Sequence, residues 1–116
     1  MISLREATAD DVTRIGALAE SGDLFPADMT GDMMAPFLGG DSDDLWLVAT
    51  GDRSIDGFVY AAPERLTEGT VNLLGMAVDP RHRALGIGTA MVGGVEDRLA
   101  QRGAHHARRN VVAAAV

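Results

Sequence analysis

Ile2, Leu4 and Ala7 alternate loosely with polar residues and predict a short first strand. Thr8, with Asp11 three residues on, resembles a capping box. Val12, Ile15, Leu18 and Ala19 then recur at helical spacing, so a first helix is expected from about Ala9 to Glu20, stopped by Ser21, Gly22 and Asp23. Pro26 and Asp28 open a second, Met-rich helical stretch, with Met29, Met33, Met34, Phe37 and Leu38 expected on one side and Gly39 and Gly40 ending it. Leu45 to Ala49 reads as a strand, Gly51 to Ser54 as a turn, and Ile55 to Ala62 as the returning strand of an antiparallel hairpin that Pro63 breaks. Val71 to Val78 is almost continuously apolar and ends at Asp79 and Pro80. Such a run suits a central strand buried on both faces.

A basic loop punctuated by glycines follows, from Arg81 to Gly88. The helix after it carries Ala90, Met91, Val95 and Leu99 at helical spacing, with Glu96, Asp97 and Arg98 toward water. Gly93 and Gly94 inside it are unfavourable, by about 1 kcal/mol each relative to Ala. Beyond Gly103 the pattern degrades, and Asn110 to Val116 is the one further strand expected. The chain shows no internal repeat and no linker, so its 116 residues read as a single domain, 1–116.

Composition narrows the classes. Apolar residues make up 47% and charged residues 23%, an ordinary globular balance. Aromatics are 4%, which excludes a reader that stacks single-stranded nucleic acid on an aromatic platform. With no cysteine there is no disulfide, thiolate metal site or Cys nucleophile. No apolar run nears the ~20 residues that span a bilayer, and the N-terminus lacks a signal-peptide layout. The expectation is a soluble cytoplasmic protein without nucleic-acid or membrane partners. The net charge of −7 points the same way. That charge is uneven: residues 1–80 hold 15 acids against four arginines, a net −11, whereas residues 81–116 hold two acids against six arginines, a net +4. Such asymmetry fits a basic end that meets an anion, and equally a solvated surface. The acids Asp41, Asp43 and Asp44 lack the spacing, turn glycine and closing Glu of a calcium loop, and no metal site is expected.

One segment carries chemistry: buried strand, Asp79 and Pro80, basic loop, two glycines, helix. A helix start leaves backbone N–H groups unpaired and carries about half a positive charge. Gly86 and Gly88 let a ligand approach those amides, and Arg81 and Arg83 add charge, so a phosphate or diphosphate is the natural guest. A dinucleotide fingerprint would need a third glycine where Met91 stands, and a P-loop would need a lysine, which the chain lacks.

Arg83-Ala84-Leu85-Gly86-Ile87-Gly88 resembles the Arg/Gln-x-x-Gly-x-Gly/Ala signature of the GNAT superfamily of acyl-CoA-dependent N-acyltransferases. Val78-Asp79-Pro80 stands in register with it, and the upstream strand–helix–helix–strand–strand order is similar to that superfamily. The resemblance covers roughly residues 2 to 103. It implies a mixed α/β fold: a central, mostly antiparallel sheet flanked by helices. It also implies direct acetyl transfer from acetyl-CoA to a primary amine of a small molecule or protein. Backbone groups of Met76, Ala77 and Val78 would pair with the pantetheine arm. Arg83, Ala84, Leu85, Gly86, Ile87, Gly88 and Thr89 would hold the diphosphate through their amides, and Arg81, His82 and Arg83 would reach phosphates. Arg81 and His82 read equally as exposed loop charges. Glu68 and Glu64 are the nearby candidates for a base, and each also reads as a solvated loop acid. Tyr60 is a candidate acid that also reads as a core or groove-lining residue.

Members of the superfamily continue further after the signature helix, so the C-terminal strands are expected to be missing or replaced. His105 to Arg109 look unlike the apolar strand that should follow Gly103. A bare edge on the signature strand would favour a homodimer, through edge pairing or exchange of Asn110–Val116. Two alternatives stay open: a catalytically silent acyl-CoA binder of the same fold, and a phosphate-binding module of another class.

Overall fold

In a computed structural model the described residues are 2–51, 54–63, 70–81, 86–101 and 108–111. The order is β1 (Ser3–Glu6), a 3-10 turn (Ala9–Asp11), α1 (Val12–Ser21), a second 3-10 turn (Ala27–Met29) and α2 (Thr30–Leu38). Then come β2 (Leu45–Thr50), β3 (Ile55–Pro63), β4 (Thr70–Val78), α3 (Ile87–Gln101) and β5 (Arg108–Val111). The five strands form one sheet in chain order. The first four are antiparallel neighbours, and β5 lies parallel to β4 across the α3 connection. The chain has the expected mixed α/β architecture, with helices on both faces of a mostly antiparallel sheet.

Two apolar layers follow from strand alternation. Trp46, Val48, Phe58 and Ala77 face one way and pack with Ile15, Leu18 and Ala19 of α1 and Met34 of α2. Leu45, Leu47, Val59, Leu73 and Val78 face the other way and pack with Ile87, Met91 and Val95 of α3. Burial on both faces explains the apolar run of β2 and the nearly continuous one of β4. The aromatics are few but concentrated. Trp46 and Tyr60, opposite each other in the β2–β3 register, stack with centroids 4.1 Å apart, and Phe58 and Phe25 complete the group.

The N-terminus of the first helical segment is tied by Asp11, which accepts from the Thr8 N–H at 2.8 Å. It begins as a 3-10 turn, so the α-helix itself opens later than the periodicity suggests, at Val12. In α2 only Thr30 and Met34 are fully buried, whereas Met29 and Leu38 are exposed. The apolar side of this stretch is therefore narrower than expected: Met33, Met34 and Phe37 pack on the core, while Met29 and Leu38 leave it. Met29 belongs to the 3-10 turn, whose tighter winding rotates it off the α-helical stripe, and Leu38 falls on the last helical residue.

The tail departs from expectation too. β5 begins at Arg108, inside the segment that looked unlike a strand, and pairs Thr70–Leu73 with Arg108–Val111. The β4 edge is thus covered over Thr70–Leu73 by the chain itself, which removes the reason given for strand exchange there. An edge strand is held by its backbone ladder, so arginines are tolerated. Residues 112–116 of the expected tail strand lie outside the described residues.

Candidate functional site

The site is built around the second half of β4. Against β3, Tyr60 pairs with Gly75 but Ala61 pairs with Leu73, so Leu74 is one residue in excess. This bulge puts a local kink into β4. Among the described residues, pairing with β5 also ends at Leu73. β4 therefore bends where its described pairing with β5 ends, and Leu74–Val78 runs on beyond it. Met76 is half-buried against the α3 layer, while Ala77 and Val78 are buried.

α3 starts beside that stretch. Ile87 is buried and anchors the helix to the sheet at Gly57, where a Cβ would lie 3.3 Å from Ile87 Cγ2, 3.2 Å from Met91 Cε and 3.0 Å from the Ala77 carbonyl oxygen. Gly57 thus brings the start of α3 down onto β3 and β4. Gly86 adopts φ +75°, a left-handed conformation that suits glycine, and its carbonyl accepts the Ala90 N–H at 3.0 Å. The amides of Ile87, Gly88 and Thr89 precede that first helical donor and so have no partner within the helix. Among the described residues nothing lies within 4 Å of a Cβ built on Gly86, and at Gly88 the nearest atom is Met76 Cε at 3.7 Å. The helix start is therefore open above Met76, and its donors suit an anion. Arg83, Ala84, Leu85 and His82 lie outside the described residues, as do Glu64 and Glu68.

Arg81 is engaged. Its guanidinium donates to Asp79 from Nη2 at 3.1 Å and Nε at 3.3 Å, and its backbone N–H donates to Asp79 Oδ1 at 3.0 Å. Asp79 is buried and also receives Arg14 Nη2 of α1 at 2.7 Å. The Arg81 side chain and amide, then Arg14, hold the Asp79 carboxyl well below the usual carboxylate range. Arg14 and Asp79 are the residues that sequence reasoning passed over. A buried acid in Val78-Asp79-Pro80 demands a cation, but Arg14 lies 65 positions away and no local pattern names it.

Tyr60 sits opposite the bulge. Its hydroxyl donates to Asp44 Oδ2 at 3.1 Å, and burial, with the Asp44 charge second, pushes it up to about 12. Tyr60 lines an open cleft of about 580 Å³ with Asp41, Asp43, Asp44 and Leu74, on the α2 side of the sheet. An acidic cleft thus opens beside the bulge of β4, on the face opposite α3.

The sequence matches the Acetyltransferase (GNAT) family over residues 13–115, and the chain is a member of that family. A rice protein (Oryza sativa subsp. japonica), acetyl transferase GW6a, is 58% identical over 36 residues, which are 31% of this chain and 9% of that protein. The structure of AAC(6')-Iy in complex with the bisubstrate analogue CoA-S-monomethyl-acetylneamine superposes with a TM-score of 0.77 at 18% identity, covering 95% of this chain and 79% of that one. Diaminobutyrate acetyltransferase EctA from Paenibacillus lautus, in complex with L-2,4-diaminobutyric acid and coenzyme A, gives 0.65 at 23% identity, covering 81% of this chain and 55% of that one. At these identities the likeness is one of fold. No helix among the described residues is long and apolar enough to cross a membrane.

Proposed function

We propose that this chain is an N-acetyltransferase of the cytoplasm that passes an acetyl group directly from acetyl-CoA to a primary amine of a small molecule or protein. The observation that carries the reading is the bulge in β4 at Leu74, beyond which no pairing with β5 occurs among the described residues, directly before the glycine-lined start of α3. An extended pantetheine arm would lie along Met76, Ala77 and Val78. The diphosphate would rest on the amides of residues 83–89, of which Gly86, Ile87, Gly88 and Thr89 are described. The amine nitrogen attacks the thioester carbon, the C–N bond forms and the C–S bond breaks, and coenzyme A leaves as its thiolate. Holding both partners along one strand supplies proximity, a large share of such a barrier. The coenzyme A complexes of the fold neighbours support this reading, as does the acceptor amine in the EctA complex.

The acceptor would enter through the cleft of Tyr60, Asp41, Asp43 and Asp44, whose acids favour an ammonium group. Glu68 is proposed as the base and Tyr60 as the acid that protonates the thiolate. At neutral pH Tyr60 keeps its proton, as that role requires. Calorimetric titration with acetyl-CoA, followed by thiol release on a panel of primary amines, tests the reading. Binding with turnover supports it. Tight binding with no turnover on any amine would move the chain to the silent acyl-CoA binders, and no binding would remove both. Association as a homodimer is a separate proposal. Sedimentation at micromolar concentration supports it with one species of twice the chain mass, and a folded monomer removes it.

A further inference from the structure

Asp79 holds two arginines that differ in how firmly they are held. Arg14 donates Nη2 to Asp79 at 2.7 Å and Nε to the Ile55 carbonyl at 3.2 Å, so it is fastened at both ends of its guanidinium. Arg81 makes longer side-chain contacts, 3.1 and 3.3 Å, and its side chain is 77% exposed. Asp79 is itself fixed, its N–H donating to the Asp56 carbonyl at 2.7 Å. The Arg81 backbone N–H stays on Asp79 whatever its side chain does. Arg81 also begins the segment that leads into the start of α3.

We propose that Arg14 is a positioning residue for coenzyme binding: it keeps Asp79 neutralised so that the Arg81 guanidinium can leave the carboxylate for a phosphate of the bound coenzyme. The inference rests on the acetyl-CoA reading of the α3 cradle. Its physics is an exchange of partners. A buried carboxylate stripped of its only cation is costly, whereas one that retains a short ion pair is not. With Arg14 present, Asp79 gives up the looser of two arginines. Without Arg14, Arg81 is the only side-chain cation on Asp79 among the described residues and is held there. Arg14 thus acts through Arg81, from a helix on the other face of the sheet.

The test is a double-mutant cycle read by calorimetric titration of the full chain with coenzyme A. Arg14→Ala is expected to weaken binding about tenfold, the loss of one charge-assisted contact. Arg14→Lys should restore most of it, and Arg5→Ala, which removes a comparable ion pair with Asp11 elsewhere, should leave affinity unchanged. In an Arg81→Ala background the Arg14 effect should vanish. An Arg14→Ala affinity within twofold of the parent, or a double mutant that loses the full product of the single effects, overturns the inference while leaving the coenzyme reading intact. Should Arg14→Ala fold poorly, Arg14→Gln enters the same cycle. Arginine side-chain NMR with inorganic pyrophosphate as the probe separates the two ideas from the other side. A parent chain that ignores coenzyme A but shifts the Arg81 Nε–H resonance on adding pyrophosphate, and loses that shift in Arg14→Gln, sinks the coenzyme reading and keeps the exchange. An Arg81 resonance that does not move, or that moves equally in Arg14→Gln, sinks the exchange.

Discussion

Gly93 and Gly94 look alike in the sequence and differ in the fold. A Cβ on Gly94 would lie 2.6 Å from Leu4 Cδ1 and 3.4 Å from Leu47 Cδ1, so this glycine lets α3 close against β1 and β2. A Cβ on Gly93 meets nothing within 4 Å among the described residues. Gly93→Ala is therefore expected to stabilise the chain by about 0.5–1 kcal/mol, read as a raised urea midpoint with unchanged slope. The buried acids give a second expectation. Asp11 is paired with Arg5 at 2.7 and 2.9 Å, and that hydrogen-bonded pairing lowers its pKa; Asp79 is lowered by Arg81 and Arg14. A carboxyl lowered in the folded state contributes stability that is complete above its unfolded value, about 4, and is lost as pH falls through the folded value. Thermal melts from pH 7 to pH 3 should show the melting temperature falling mainly below about pH 4, and Asp79→Asn should flatten part of that fall. An equal fall in the variant would contradict the role given to Asp79.

At the scale of elements, the contact of α3 with β3 is set by Gly57. Adding a methyl there presses on the Ala77 carbonyl as well as on Ile87 and Met91, and backbone does not yield cheaply. Gly57→Ala should cost about 1–3 kcal/mol by overpacking, measured by denaturant unfolding. The helices and β1 to β4 were legible because each carries a local pattern: period 3.6 in α1 and α3, an apolar run in β2 and a nearly continuous one in β4. The glycine-lined helix start was legible for the same local reason. The β4 bulge was not, since Leu73, Leu74 and Gly75 read as plain strand and only pairing with Tyr60 and Ala61 reveals the extra residue. Of β5, Asn110 and Val111 fall within the strand expected at Asn110–Val116, whereas its start at Arg108 was not legible, because the two arginines break the apolar pattern and the hold is the backbone ladder to Thr70–Leu73. The Arg14–Asp79 pair was hidden because it joins α1 to the end of β4 across the fold.

Over the whole molecule, the sheet separates two kinds of surface. The α3 face carries the opening amides and the end of β4, while the α2 face carries the acidic cleft beside Tyr60. Under the proposed function, an anionic donor and a cationic acceptor would meet at the β4 bulge from opposite faces. Tyr60→Phe removes the hydroxyl bonded to Asp44 and should cost about 0.5–1.5 kcal/mol in stability. If Tyr60 supplies the leaving-group proton, the same change lowers turnover with little effect on acetyl-CoA affinity. The most direct measurement is calorimetric titration of the parent chain and Gly88→Asp with coenzyme A, beside their thermal melts. Gly88 has no left-handed φ and has room for a side chain, and an acid in the first turn of a helix is favourable, so folding should be unchanged or slightly strengthened. Coenzyme affinity should nonetheless fall by about tenfold or more, because the new carboxylate would occupy the place proposed for the diphosphate. A well-folded Gly88→Asp that binds coenzyme A as tightly as the parent would contradict the assignment of that helix start.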